Sequence, residues 1–404
     1  MKEYLTTSRL LLLALLIISC ILVSCSRKPL VQLSPDALPE FTDDLDRTSL
    51  IEAVEDNLDY LQQQDPERLI NFSGQPFPLS RLIQSLEFFR ELLVDTPSNK
   101  ELNRRVREDF DVYQSTGTSG FNPGRNMLVT GYFQPIFEGS LERKEPFLYP
   151  LYSIPPDLVR KKGAAGKQTV GRQDGTTFTP YWTRREIELQ NEAAGSEIVW
   201  LKDPFDAFVL HVQGSGLIRL QDNTTRGVHF AGKNGHTYKS IGRFMVETGR
   251  ITLEEASLKT IREYLINNPS ERQEILHHNP SFIFFNWTDT HGAIGNLGKE
   301  LTAGRSVAVD QSCFPKGALG FLFTRQPVIQ QGQNTKWQPL HRFVLVQDTG
   351  SAIRGPGRID LFWGTGPEAG QQAGQMKEAG NLYFFLLKES VVHHISGTML
   401  HSPQ

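Results

Sequence analysis

Apolar residues recur at helical spacing early in the chain and gather into short strand-like runs later. Leu50, Ile51, Val54, Leu58 and Leu61 share one helical face after Ser49, with Glu52 at capping-box distance. Ser80 to Val94 repeats the pattern, and Lys100 to Tyr113 reads as a third, more charged helix. After Asn122-Pro123-Gly124 the period changes. Met127 to Phe133, Phe147 to Leu151, Ile198 to Leu201 and Val228 to Gly235 read as strands. Phe205 to Gln213 reads as another, with Leu217 to Leu220 as its hairpin partner. Helices return at Leu253 to Ile266 and Ser270 to His277. Phe282 to Phe285, Val307 to Asp310, Leu319 to Phe323, Phe343 to Val346, Ile359 to Trp363 and Tyr383 to Leu387 complete the strands. Many short strands with Gly-rich turns predict barrel-type β architecture with helices at one end.

Length and charge narrow the class. At 404 residues there is room for two domains and a substantial core. A net charge of -3 with scattered basic residues gives no case for nucleic acid. Lys2 and Arg9 precede an apolar run, Leu10 to Val23, with the length of a signal h-region and short for a membrane span. Its end, Ser24-Cys25, resembles a bacterial lipoprotein signal, which implies removal of residues 1–24 and lipidation of Cys25. Cys20 is a weaker candidate that would cut the h-region short, and an uncleaved anchor is the alternative. Residues 25–45, with three prolines, read as a tether. Cys313 is then the one free thiol, so no internal disulfide forms, and it reads as a small core group.

Candidate chemistry concentrates near the C-terminus. Asp348 and Asp360 bracket a Gly/Pro-rich connection, and only Asp360 has bulky apolar neighbours on both sides. Desolvation there predicts a raised pKa and a general acid. The plainer alternative has Asp348 capping a turn and Asp360 pairing with an arginine. Elsewhere the signals fail. Gly214-Ser215-Gly216 lacks the nucleophile-elbow pattern. His277-His278 and His393-His394 lack ligand spacing, so no metal is expected. Gly295 to Glu300 lacks the residues of a phosphate loop, so no nucleotide or other cofactor is expected.

Six ordered motifs carry a family resemblance. They are Thr130-Gly131-Tyr132-Phe133-Gln134-Pro135, Tyr181 to Glu188, Asp206 to Gly216, Tyr238 to Arg243, Asn279 to Phe285, and Gln347 through Gly370. Together they resemble the membrane-bound lytic murein transglycosylase A family. The C-terminal part is also similar to the "3D" domain, whose three aspartates match Asp310, Asp348 and Asp360. The resemblance implies a mainly β fold with N-terminal helices: a double-psi β-barrel plus an inserted second β-rich domain, with a glycan groove at their junction. Residues 46–134 would supply the helices and the first part of the barrel, 135–289 the insert, 290–390 the rest of the barrel, and 391–404 a tail.

The implied reaction cleaves the β-1,4 bond between N-acetylmuramic acid and N-acetylglucosamine without water, leaving a 1,6-anhydro end. Asp360 matches the single acid/base, and Asp348 becomes a second groove carboxylate. Thr130, Gly131, Tyr132, Gln213, Ser215 and Gly216 are the implied glycan contacts, with Trp363 and Tyr132 able to stack on sugars. Phe133-Gln134 departs from the Tyr-Tyr or Tyr-Glu of many relatives, removing a hydroxyl or carboxylate near the groove. The implied partners are peptidoglycan glycan strands, a membrane through the lipid anchor, and cell-wall synthases. Ser26 lacks the acidic character associated with inner-membrane retention, which favours the periplasmic side of the outer membrane. Two alternatives stay open: an inverting hydrolase using Asp360 and Asp348, and a peptidoglycan-binding lipoprotein without turnover.

Overall fold

The computed structural model describes residues 28–162, 168–253, 255–289, 292–329, 335–350 and 352–392. The signal segment, Cys25 and the tail from 393 onward lie outside the described residues.

The first strands are β1 (Leu30–Gln32), the β2–β3 hairpin (Leu69–Phe72, Gln75–Pro78), β4 (Phe110–Ser115) and β5 (Met127–Gln134). Among them run helices α1 (Arg47–Leu61), α2 (Leu79–Asp95) and α3 (Asn99–Asp109). A β-rich insert follows with β6 (Ile136–Ser140), β7 (Tyr149–Tyr152), β8 (Leu158–Lys162), β9 (Gln168–Asp174), β10 (Thr177–Pro180), β11 (Glu197–Leu201), β12 (Ser215–Arg219), β13 (Thr225–Lys233) and β14 (Ile283–Thr288). Its helices are α4 (Arg184–Gln190), α5 (Pro204–Gln213), α6 (Ile241–Glu247), α7 (Leu258–Asn267) and α8 (Arg272–His277). The chain closes with β15 (Ser306–Ala308), β16 (Leu319–Val328), β17 (Lys336–Asp348), β18 (Arg358–Thr365), α9 (Pro367–Gln375) and β19 (Lys377–Leu387).

Strand pairing closes a barrel. Around the ring the order is β5, β18, β15, β17, β16, β19 and back to β5. The long strand β19 closes it: Lys377 to Gly380 pair with β5, while Asn381 to Phe384 pair with β16. β18–β5 and β15–β17 are parallel pairs, and the others are antiparallel. This is the double-psi barrel with modest helices. In the insert, β14, β13, β12, β6, β11 and β7 form a second sheet, and β8 to β10 a third.

One core joins the barrel to the N-terminal helices. Leu50, Val54 and Leu58 of α1 and Leu82, Leu86, Phe89 and Leu93 of α2 pack against Phe321, Phe343, Leu345 and Phe385. Burying a large apolar side chain stabilises by about 1.5–3 kcal/mol each, so this shared face fixes the helices to the barrel. The cap of α1 differs from expectation. Asp46 is the N-cap, accepting from the Ser49 backbone N–H at 2.7 Å, and the helix starts at Arg47, two residues before Ser49. α3 also ends early, at Asp109, because Phe110 onward pairs with β19.

Two further expectations are corrected. From Leu30 on, the stretch read as a tether belongs to the packed fold: β1 pairs with β4, and Phe41 is buried among Phe321, Tyr383 and Phe385. Asp43 pairs at 2.7 Å with Arg305, which is fully buried and also donates to the Phe343 and Asp46 carbonyls. Prolines hid these contacts because no local period announces them. Phe205 to Gln213 is a helix, not a strand. Asp203 caps it, Pro204 fits its first turn, and Phe205, Phe208 and Val209 face one core at helical spacing. Gly214, at φ 81°, ends it. β12 therefore pairs with β13 and β6 instead of with a preceding hairpin strand.

Candidate active site

Register places the two aspartates. Ala308 on the short strand β15 is the pairing partner of Asp348 on one side and Asp360 on the other. The carboxylate-bearing backbones are thus two strand spacings apart, about 10 Å. On the far side of Asp360 stands Thr130, and beyond it Lys377. Ile359, Leu361, Val129 and Val307 point into the barrel core. By strand alternation Asp360, Thr130 and Ala308 point outward. The small Ala308 side chain leaves space between the two acids.

Both carboxyls are held partly protonated near neutrality. Burial raises Asp360 from 3.8 to about 6, against the opposing pull of Arg358 and with a further push from Asp348. Thr130 Oγ1 donates to its Oδ1, and Arg358 Nε stands 3.7 Å from the same oxygen. Its side chain keeps 18 % of its surface exposed, enough for a ligand to reach. Burial likewise raises Asp348 to about 6. Its two oxygens are already engaged: Oδ1 accepts from the Asn296 backbone N–H at 3.1 Å and Oδ2 from the Tyr132 hydroxyl at 3.1 Å. Burial, followed by the charge of Asp348, keeps the Tyr132 phenol protonated.

Asp310 has a different task. Its Oδ2 accepts from the Gly355 backbone N–H at 2.7 Å, and its Oδ1 from the Ser312 backbone and hydroxyl. Burial works to raise its pKa, but these donors outweigh it and hold the carboxyl below the usual range. It ties down the loop that separates the other two aspartates.

The expected contact residues divide. Thr130 and Tyr132 stand with the aspartates, and Gln213 reaches the barrel, its Oε1 lying 3.5 Å from the Phe133 backbone nitrogen. Gly131 falls on the opposite strand face, where a Cβ would sit 2.5 Å from Trp363 Nε1 and 2.9 Å from Ala373 Cα of α9. Gly131 and Trp363 are thus a packing pair beneath α9, with the indole against the barrel core. Ser215 is buried, and a Cβ at Gly216 would collide with Leu210. Gln134 is buried and accepts from Thr365 Oγ1 at 2.8 Å, so the departure at this position is absorbed inside the fold.

Three residues escaped sequence reasoning. Asn296 lies in the turn set aside as a failed phosphate loop, and its N–H serves Asp348 instead. Arg358 precedes Asp360 by two residues, the spacing that puts both on one strand face. Tyr238, in the loop before α6, stands within reach of the charges of Arg184 and Arg358, bringing the insert close to the strand that carries Asp360. Its motif was visible, but nothing in it pointed at the barrel.

A closed barrel carrying two desolvated aspartates beside an inserted domain holds the kind of groups that carboxylate-type glycan cleavage requires. Comparison with known proteins makes this particular. Residues 128–286 match the MltA specific insert domain and residues 305–386 the 3D domain. Membrane-bound lytic murein transglycosylase A of Vibrio cholerae is 30% identical over 306 residues, 73% of this chain and 76% of that protein. The Escherichia coli K12 protein of the same name is 30% identical over 283 residues, 69% and 70% of the two chains. The chain belongs to the membrane-bound lytic murein transglycosylase A family. A lytic murein transglycosylase structure from Agrobacterium tumefaciens superimposes with a TM-score of 0.72 at 28% identity, covering 90% of this chain and 99% of that one. The E. coli MltA structure with bound chitohexaose gives a TM-score of 0.65 at 24% identity over 89% and 94%.

Proposed function

We propose that this chain is a peptidoglycan lytic transglycosylase in which Asp360 alone carries the proton in both directions. The protonated carboxyl donates to the glycosidic oxygen between N-acetylmuramic acid and N-acetylglucosamine as the C1–O bond breaks. The resulting carboxylate then takes the proton of the muramyl C6 hydroxyl as that oxygen bonds to C1, giving the 1,6-anhydro end and restoring the acid. The nucleophile is part of the substrate, so no water needs activating. The observation that carries the reading is an outward-facing Asp360 whose pKa is lifted to about 6, so that it can act as acid and as base near neutrality.

Asp348 supports the reaction from the far side of Ala308. With both oxygens engaged by protein donors, it is suited to orienting groups and stabilising positive charge near C1, and poorly suited to activating water. This weighs against the inverting hydrolase. The groove between barrel and insert holds the glycan, with Thr130, Tyr132 and Gln213 as contacts. The relatives' membrane-bound names support membrane association for this chain. A lipid on Cys25 at the periplasmic side of the outer membrane is the finer reading, with cell-wall synthases as candidate partners there. Mass analysis of products from purified peptidoglycan tests the reaction: anhydro ends support it, and reducing ends carrying an added water refute it.

A further inference from the structure

We infer that Arg358 is a positioning residue for Asp360, holding an unfilled donor ready for the carboxylate that forms when Asp360 gives up its proton. This rests on Asp360 being the acid. Three observations point the same way. Arg358 and Asp360 are two apart on β18 and share its outward face. The guanidinium is anchored at one end, Nη1 donating to the Ala352 carbonyl at 3.2 Å. Its Nε is buried, has no hydrogen-bond partner among the described residues, and faces Asp360 Oδ1 at 3.7 Å. A buried N–H without an acceptor is costly, so a fold that keeps one beside a reacting carboxyl has a reason to.

The gap is informative. At 3.7 Å the contact is longer than a hydrogen bond, and a neutral carboxyl already served by Thr130 has little need of a second donor. Once the proton has gone to the glycosidic oxygen, both carboxylate oxygens carry charge. Closing to about 2.8 Å then makes a charge-assisted bond, stronger than its neutral counterpart. Arg358 transfers no proton itself. The other groups facing Asp360 cannot do this. Asp348 repels the developing charge, the Tyr132 phenol is kept neutral by burial, and Thr130 is neutral. Lys377, beyond Thr130 in the register, is exposed.

Anchoring explains the loop. Asp310 ties Gly355, and the loop carries Ala352, so Asp310 indirectly aims the guanidinium at Asp360.

The test is the pH profile of anhydro-end release from purified peptidoglycan by wild type, Arg358→Gln and Arg358→Lys. Activity needs protonated Asp360 and falls as pH rises through its pKa. Arg358→Gln should lower the rate roughly 10- to 100-fold and move this alkaline limb up by about one pH unit. Arg358→Lys should keep the limb near its wild-type position and recover part of the rate. A rate loss with an unmoved limb in Arg358→Gln, or a lysine variant indistinguishable from the glutamine one, overturns the inference. Should Arg358→Gln fail to fold, a folded Arg358→Lys with a displaced limb overturns it equally. Absence of anhydro ends in the wild type refutes the reaction itself, and the limb comparison on whatever product forms still tests Arg358.

Discussion

Replacing Asp360 by asparagine should abolish turnover and, at neutral pH, make the protein more stable. Burial lifts the carboxyl from 3.8 to about 6, so the folded state binds its proton more tightly than the unfolded state. Its contribution favours the fold below pH about 4 and is lost as pH rises through about 6. At ~1.4 kcal/mol per pKa unit, the penalty at pH 7 is about 3 kcal/mol. Residual exposure of the side chain, and the loss of an anion beside Arg358, reduce the net gain from asparagine to about 1–2 kcal/mol. Thermal melts of wild type and Asp360→Asn, at about pH 4 and about pH 7.5, read this directly. The variant should melt a few degrees higher at the upper pH and at nearly the wild-type temperature at the lower one. Equal shifts at both pH values, or a destabilised variant at pH about 7.5, would refute the claim that desolvation dominates at this carboxyl.

Other sites predict different signs. Asp310→Asn should cost about 1–2 kcal/mol at neutral pH, since its lowered pKa reflects three donors that asparagine cannot fully serve, and denaturant titration measures it. Gly131→Ala should lower the melting temperature by forcing Trp363 and α9 apart; an unchanged melt would mean the close approach is relieved by small shifts. Asp348→Asn should reduce glycan cleavage by less than Asp360→Asn, and equal mild losses would count against a single acid/base.

Much of the fold could be read from the chain, for a physical reason. Strands such as Phe343 to Val346 are buried on both faces, between the barrel interior and the N-terminal helices, and their apolar runs announce them. Barrel closure was not legible, because the part of β19 that pairs with β5 is Lys377-Glu378-Ala379-Gly380, a polar stretch held by backbone hydrogen bonds. α5 was misread because it is apolar on more than one face, packing against two cores of the insert. At the site, the apolar flanks of Asp360 signalled its desolvation. Its relation to Asp348 depends on Ala308, a residue with no chemistry of its own, and register across three strands has no local sequence signature. Gly131 and Thr130 sit side by side in the same motif, yet strand alternation sends one to the packing side and the other to the groove.

In the proposed mechanism Asp360 moves one proton out and back while the substrate supplies the nucleophile. Its most direct measurement is mass analysis of muropeptides released from purified peptidoglycan by the wild type and by Asp360→Asn. Chain ends lighter by one water, as anhydromuramic acid, are expected from the wild type and none from the variant. Hydrated reducing ends from the wild type, or anhydro ends from the variant at a comparable rate, would contradict it.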